Sequence, residues 1–223
     1  MLQRIEQFLN ADEVKTLQDL AAHGQFIDGR ASAGESVREV KANEELDRTR
    51  EQTKLLVEIL TPAVQRNETL RFFAWPLRMN TPLISRYVPG MEYGSHLDNP
   101  IMFHRNNEPL RTDLSITVFL SDPESYDGGE LSLETQFGEQ TVKLSAGDAV
   151  VYATTLRHRV TPVTRGTRLA AVAWIQSMVK DHQQRQILFD MFQVRQAIRG
   201  TSAEAAEDLE KCFINLVKMW ADV

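Results

Sequence analysis

Cysteine is almost absent from this 223-residue sequence. The one cysteine, Cys212, has no partner in the chain for a disulfide, so we expect a reducing compartment and a cytoplasmic protein. No apolar run approaches the roughly 18–20 residues that a membrane-spanning helix needs. The N-terminal stretch MLQRIEQFLNADEV also lacks the apolar segment of a signal peptide. Neither export nor a membrane partner is therefore expected.

Basic residues are in short supply as well. The 25 Lys and Arg residues face 31 Asp and Glu residues, which gives a formal net charge of -6. A field of this sign repels nucleic-acid phosphates and anionic membrane surfaces, so we predict no nucleic-acid partner. The glycine-rich signatures of dinucleotide-binding and phosphate-binding folds are missing too, which argues against a doubly wound sheet.

The two ends of the chain have helical patterns. Asn10 and Glu13 have the spacing of a capping box, and the helix that they begin should run to Gly24. Leucines between residues 46 and 60 predict a second helix that ends near Pro62. After Ser177 two more helices are expected, the last of them capped by Thr201 or Ser202. An apolar stripe on that last helix either packs on the core or forms a homodimer interface; it consists of Phe213, Leu216 and Trp220.

The middle of the chain has a β pattern from about residue 70. Short runs rich in β-branched and aromatic residues alternate with turn signals: LRFFAWPLRM, PLISRYV, LSITVFLS, GELSLE, QTVKL, DAVVYA and RLAAVAWIQS. This pattern predicts a barrel or sandwich within a mostly β, α+β protein. We divide the chain into an N-terminal helical or mixed region (1–77), a β domain (78–178) and a C-terminal helical extension (179–223).

Histidine and aspartate suggest a metal site. In His96-Leu97-Asp98 the two polar side chains stand at i and i+2, which on a strand point to the same side. A third ligand could come from His158, after the run DAVVYA, or from its rival His104. Two histidines and one carboxylate leave coordination positions open, as in non-haem Fe(II) oxygenases, whereas structural zinc usually takes four ligands including cysteine.

Arg168 begins an apolar strand ten residues after His158. Strand alternation places Arg168, Ala170, Val172 and Trp174 on one face. A guanidinium that faces inward needs an anionic partner, because an unpaired buried charge is costly. That partner is either the far carboxylate of a dicarboxylate cosubstrate or an internal acid such as Asp148.

Several stretches together resemble a known family. They are FIDGRASAG, RYVPGMEYGSHLDNP, DLSITVFLSDP with YDGGELSL, and AGDAVVYATTLRHRVTPVTRGTRLAAVAWIQS. The chain resembles the Fe(II)- and 2-oxoglutarate-dependent dioxygenases of the prolyl 4-hydroxylase type, and within them it closely resembles the bacterial PKHD-type hydroxylases. Phe26 stands where the family motif has tryptophan. The resemblance implies a double-stranded β-helix, or jelly-roll, core.

The resemblance also implies residue roles. The implied iron ligands are His96, Asp98 and His158; Arg168 and Tyr87 would bind 2-oxoglutarate, and Tyr93 and Trp174 would form cavity walls. The implied reaction uses O₂ to hydroxylate an unidentified substrate, for which a peptidyl residue is a candidate, and it releases succinate and CO₂. L-Ascorbate (vitamin C) would serve as reductant.

A long polar segment, PIMFHRNNEPLRTD, is typical of a lid over a substrate site. Its candidate substrate contacts are His104, Arg105 and Arg111. The alternative function is a non-catalytic sensor of iron and 2-oxoglutarate whose C-terminal helices bind a partner. Formation of succinate would separate the two.

Overall fold

The computed structural model describes residues 2–103 and 108–223. Its strands are β1 (Leu2–Ile5), β2 (Phe26–Asp28), β3 (Lys41–Ala42), β4 (Glu44–Leu46), β5 (Pro76–Met79), β6 (Leu83–Tyr87), β7 (Glu92–His96), β8 (Ile101–Phe103), β9 (Pro109–Arg111), β10 (Leu114–Phe119), β11 (Asp127–Gly128), β12 (Leu131–Thr135), β13 (Gly138–Val142), β14 (Ala149–Ala153), β15 (His158–Val160), β16 (Val163–Arg165) and β17 (Arg168–Ser177). Its α-helices are α1 (Ala11–His23), α2 (Arg50–Arg66), α3 (Glu68–Ala74), α4 (His182–Ile198) and α5 (Ala203–Trp220).

Two antiparallel sheets face each other across the centre of the molecule. The larger has the order β1-β14-β10-β17-β6-β4-β2, with β5 paired to the far end of β17. The smaller has the order β13-β12-β15-β7-β3. Neighbouring strands are mostly distant in sequence, as the crossing connections of a jelly roll require. The predicted fold class, a mostly β jelly roll with flanking helices, is confirmed.

Strand β17 shows how the layers divide. Ala171, Ala173 and Ile175 face the helices and belong to a large apolar core. Residues on the other side of the same strand, Arg168 and Trp174, face the space between the sheets. Because side chains alternate along a strand, one strand supplies both a packed outer layer and a polar interior.

The first helix is formed as predicted. The Asn10 side chain accepts a hydrogen bond from the Glu13 backbone N–H, and the Glu13 carboxylate accepts one from the Asn10 N–H. Helix α2 differs from the prediction, because it continues through Pro62 to Arg66.

One predicted strand is wrong in its first half. The run LRFFAWPLRM has the aromatic content of a strand, but Glu68–Ala74 is the helix α3 and only Pro76–Met79 is extended. Asn67 caps this helix by accepting from the Leu70 N–H. Buried Leu70, Phe73 and Ala74 have helical spacing, so packing of this face outweighs the β propensity of the aromatic residues.

The C-terminal helices pack on α3. Phe72 stacks on Phe192 with ring centroids 4.1 Å apart and lies 5.8 Å from Phe213. Phe213 is buried, and Leu216 and Trp220 contact the same core, so the apolar stripe packs within the chain. Ser202 is the cap of α5. A homodimer and the three-part division of the chain stay predictions. No helix within the described residues has the length and apolarity to cross a membrane.

Candidate metal and cosubstrate site

Two histidines meet across a strand pair in the smaller sheet. His96 ends β7 and His158 begins β15, and their Cα positions are directly opposite each other. Their ring centroids lie 4.3 Å apart, and both side chains are buried. The register of two antiparallel strands therefore brings together residues that are far apart in the sequence.

Asp98 completes a compact group. Its Oδ1 lies 4.0 Å from His96 Nε2 and 3.7 Å from His158 Nε2. Within the described part of the chain this is the one cluster of three such side chains whose ligand atoms all lie within 4.8 Å of one another. Ser115 Oγ donates a 2.5 Å hydrogen bond to Asp98 Oδ2, which fixes the carboxylate and leaves Oδ1 facing the imidazoles.

Backbone carbonyls select the ring nitrogens that face Asp98. Nδ1 of His96 donates to the Gly94 carbonyl over 2.8 Å, and Nδ1 of His158 donates to the Leu156 carbonyl over 3.0 Å. A carbonyl oxygen can only accept, so each Nε2 is free to donate its lone pair to a cation. Burial, and next the proximity of His158, hold the pKa of His96 well below its usual range. The donor set, two neutral imidazoles and one carboxylate, fits Fe(II).

Arg168 is a buried cation without an acidic partner. Its side chain is 2% exposed, and none of the described residues forms an ion pair with it. The guanidinium carbon lies 5.1 Å from the Tyr87 ring centroid and 5.6 Å from that of Phe119. Two aromatic rings offset only part of the free-energy cost of desolvating a cation, so this position favours an anionic ligand.

Tyr87 is the residue opposite Arg168 in the register of β6 and β17. Burial raises the pKa of Tyr87 to about 12, while Arg168, Asn43 and Ser85 act in the opposite direction. The phenol therefore stays protonated near neutral pH and can donate a hydrogen bond.

Two glycines let the chain pass close to Arg168. Gly128 and Gly129 both have positive φ, +71° and +67°. A Cβ at Gly128 would lie 1.9 Å from the Pro162 carbonyl oxygen, and one at Gly129 would lie 3.0 Å from Arg168 Cδ. The absence of a side chain at Gly129 thus allows the backbone to cover the stem of the arginine.

A narrow cavity of about 60 Å³ contains these groups. The three clustered side chains, Arg168 and Tyr87 all line it, and so do Tyr93 and Trp174. Tyr93 stacks on His96 with ring centroids 3.7 Å apart. The cavity therefore contains both the candidate metal ligands and the unpaired arginine.

The N-terminal segment supplies an unexpected polar wall to this cavity. Three residues of this segment line it: Lys41 of β3, Asn43 between the two strands, and Glu45 of β4. Lys41 Nζ lies 2.6 Å from Glu45 Oε1, and both side chains are buried. Ser32 Oγ joins the pair by donating to Glu45 and accepting from Lys41.

These wall residues were not predicted. Their spacing of two residues is the signal that could have identified them, because i, i+2 and i+4 share one face of an extended segment. The segment contains no apolar run, however, and its sequence does not indicate which strands it joins.

An outer groove of about 440 Å³ opens beside the cavity. The residues that line both include His96, Asp98, Tyr93 and Trp174, and the groove also has Asn99 and Met102 along its length. Exposed apolar side chains form part of its wall: Leu97, Ile101 and Phe103. His96 and Asp98 are therefore reached from a surface groove with apolar edges.

The predicted lid residues have different outcomes. His104 and Arg105 lie outside the described residues, so the rival metal ligand and the first two substrate contacts stay predictions. Arg111 donates to both oxygens of Asp113, over 2.7 Å and 3.0 Å, and to the Ser177 carbonyl. It does not line the cavity or the groove, and its substrate role stays a prediction.

Comparison with known proteins gives consistent matches. Residues 82–176 match the family model described as the 2OG-Fe(II) oxygenase superfamily. The chain is 41% identical to a PKHD-type hydroxylase of Cupriavidus metallidurans and 44% identical to one of Thioalkalivibrio sulfidiphilus, with all of both chains covered in each case.

The fold has solved relatives as well. A prolyl-4-hydroxylase of Pseudomonas putida superposes with a TM-score of 0.53 at 22% identity, over 79% of this chain and 92% of that one. This structural similarity supports the jelly-roll fold. At 22% identity it does not by itself assign functions to individual residues.

Proposed function

Because the chain belongs to the PKHD-type hydroxylases of the 2OG-Fe(II) oxygenase superfamily, we propose that its inner cavity holds Fe(II) at His96, Asp98 and His158 and 2-oxoglutarate against Arg168 and Tyr87. The family membership makes the protein a 2-oxoglutarate-dependent dioxygenase that hydroxylates a substrate. The observation that carries the residue assignment is Arg168, a buried cation without an acidic partner in the cavity of the clustered histidines.

The protein's part is to orient the ligands. The Gly94 and Leu156 carbonyls hold the imidazole rings, and Ser115 holds Asp98. Such supports fix the ring tautomer and reduce the reorganisation on metal binding. Bound Fe(II) supplies the oxidising chemistry, in which O₂ and 2-oxoglutarate give succinate, CO₂ and a hydroxylated product.

Arg168 and Tyr87 would bind the far carboxylate of 2-oxoglutarate. A guanidinium presents paired N–H groups that match a carboxylate, and the protonated phenol adds a further donor. The low exposure of both residues excludes competing water, which strengthens these bonds.

The substrate would enter from the outer groove. Its walls include Tyr93, Trp174 and the exposed Phe103, so an apolar portion of a substrate can be buried there next to the clustered histidines. Hydroxylation of a peptidyl residue is the substrate class that we propose. The support is a structural resemblance to proteins named prolyl hydroxylases.

The test is an anaerobic titration of the metal-free protein with Fe(II) and 2-oxoglutarate, followed by visible absorption. We expect a charge-transfer band in the wild type, no band in His96→Ala, and a far higher 2-oxoglutarate requirement in Arg168→Ala. Absence of the band in folded wild-type protein would overturn the assignment. Succinate release under air then separates the enzyme from the sensor alternative.

Ascorbate is proposed as a reductant that restores oxidised iron rather than as a bound cofactor. Repeated turnover should therefore decline faster without ascorbate, while the first turnover should be unaffected. An equal decline with and without ascorbate would contradict this role.

A further inference from the structure

Asn43 is a buried amide that forms no hydrogen bond of normal length and angle within the described residues. The residue is 3% exposed, and neither its Nδ2 nor its Oδ1 has a partner among the described residues. A buried polar atom left unpaired costs about 1–3 kcal/mol. An amide with two such atoms is not explained by the fold of the chain alone.

The position of Asn43 places it in the wall of the cavity. It is the one residue between β3, which pairs with β7 of the smaller sheet, and β4, which pairs with β6 of the larger sheet. It thus lies where the chain crosses from one sheet to the other, and it lines the cavity together with Arg168 and Tyr87.

Asn43 lies at the arginine end of the cavity. Burial raises the pKa of Tyr87, while the Arg168 charge and the nearby Asn43 amide lower it, although no hydrogen bond of normal length and angle joins the amide to the phenol. Neither of its buried polar atoms contacts the clustered histidines or Asp98 through a hydrogen bond. The amide is therefore placed beside the donors that surround the unpaired cation.

The backbone makes room for this placement. Gly29 donates its N–H to the Asn43 carbonyl over 2.8 Å. A Cβ on Gly29 would lie 2.0 Å from Asn43 Oδ1. A side chain at position 29 would therefore displace the amide, so the glycine and the asparagine form one arrangement.

We propose that Asn43 binds the distal carboxylate of 2-oxoglutarate, beside Arg168 and Tyr87. This inference rests on the proposed function, and it adds a residue outside the matched range 82–176 to the cosubstrate site. The Nδ2 group supplies an N–H donor to an oxygen of that carboxylate. The N-terminal segment, which also forms a wall of the outer groove through Ser32, Ala33 and Gly34, is thereby tied to cosubstrate binding.

The test compares two ligands that differ only at the distal end. 2-Oxoglutarate has a carboxylate there, and 2-oxopentanoate has a methyl group on a chain of the same length. Both are titrated anaerobically into Fe(II)-loaded wild type, Asn43→Ala and Asn43→Asp. A hydrogen bond to a charged group is worth about 1.5–3 kcal/mol, so Asn43→Ala should weaken 2-oxoglutarate binding about 10- to 100-fold.

The second ligand shows where the contact lies. The affinity for 2-oxopentanoate should be the same in Asn43→Ala as in the wild type, within about two-fold. Asn43→Asp places a negative charge at the same position and should weaken 2-oxoglutarate binding more than Asn43→Ala does. An equal loss of affinity for both ligands in Asn43→Ala would overturn the proposal, because it would indicate that Asn43 acts at the metal end of the cavity or in the fold.

Thermal unfolding of the metal-free protein separates binding from folding. Removal of an unpaired amide should leave the midpoint of Asn43→Ala unchanged or raised, whereas a structural amide would lower it. Asn10→Ala, which removes a helix cap remote from the cavity, is the matched control and should lower the midpoint without affecting ligand binding. Unchanged 2-oxoglutarate binding in Asn43→Ala would overturn this inference alone. Failure of the wild type to bind 2-oxoglutarate would overturn the proposed function itself.

Discussion

The buried ion pair between Lys41 and Glu45 allows a quantitative test of the cavity wall. Lys41 is 8% and Glu45 is 4% exposed in the side chain, and the charged atoms lie 2.6 Å apart. Removing one member of such a pair leaves the other charge without compensation, which costs about 3–5 kcal/mol. Replacing both members by uncharged residues of similar size is often nearly neutral.

The surroundings of the pair make the two single changes unequal. In Lys41→Met, Glu45 keeps the Ser32 hydroxyl and the Arg48 guanidinium at 3.4 Å. In Glu45→Gln, Lys41 loses the carboxylate that pairs with its ammonium group. We therefore expect Glu45→Gln to lower the free energy of unfolding by about 3–5 kcal/mol and Lys41→Met by about 2–3 kcal/mol. The double variant should lose only about 0–2 kcal/mol.

The free energy of unfolding of the wild type and the three variants is measured by equilibrium unfolding in urea, with metal-free protein. Equal m-values, the slopes of this free energy against urea concentration, check that unfolding stays two-state. The coupling free energy should be at least about 3 kcal/mol, far above the roughly 0.5 kcal/mol seen between independent sites. Additive losses would refute the reasoning, and so would a larger loss for Lys41→Met than for Glu45→Gln. Additive losses would mean that the pair is solvated rather than buried, and a larger loss for Lys41→Met would mean that Ser32 and Arg48 do not compensate the Glu45 charge.

Three further predictions concern single contacts. Ser115→Ala removes the hydrogen bond to Asp98 and should lower the Fe(II) affinity about 10- to 100-fold in an anaerobic competition titration. An unchanged affinity would show that the Ser115 hydroxyl does not orient Asp98 for the metal. Arg168→Met should leave the unfolding free energy of the metal-free protein within about 1 kcal/mol of the wild type, because an unpaired buried cation is removed, yet weaken 2-oxoglutarate binding at least about 100-fold. A strongly destabilised variant would instead indicate an internal partner for Arg168. The Thr161 hydroxyl lowers the pKa of Glu130, so this contact stabilises the fold above the unfolded-state pKa and is lost as the pH falls through the folded-state value. The stability deficit of Thr161→Val at neutral pH should therefore shrink in acid, and a deficit independent of pH would argue against this linkage.

Local patterns were sufficient where one interaction dominates. Asn10 and Glu13 form the capping box because each satisfies the other's backbone N–H, which requires only three residues of separation. Strand alternation likewise placed Arg168 and Trp174 on the inner face of β17, since period two is a property of any extended segment. Such features depend on local geometry, so they follow from the sequence alone.

Long-range packing decided the features that the sequence did not predict. The aromatic run around Phe72 and Phe73 favours a strand by propensity, yet its helix buries Leu70 and Phe73 together and stacks Phe72 on Phe192 of α4. The partner is more than a hundred residues away, and no local pattern indicates it. The polar wall of Lys41, Asn43 and Glu45 was missed for the same reason, because its place depends on the strands that its segment joins.

The cavity combines two parts of the chain with different physical constraints. The clustered histidines, Asp98 and Arg168 lie within residues 82–176. Strand register fixes the histidines and Arg168, and the Ser115 hydroxyl fixes Asp98. The wall at Lys41 and Asn43 comes from outside that range and provides none of the three clustered ligand atoms. Changes in this wall can therefore alter the affinity for cosubstrate and substrate while the metal ligands keep their geometry. An enzyme built in this way can change what it binds in the groove without rebuilding the centre that performs the oxidation.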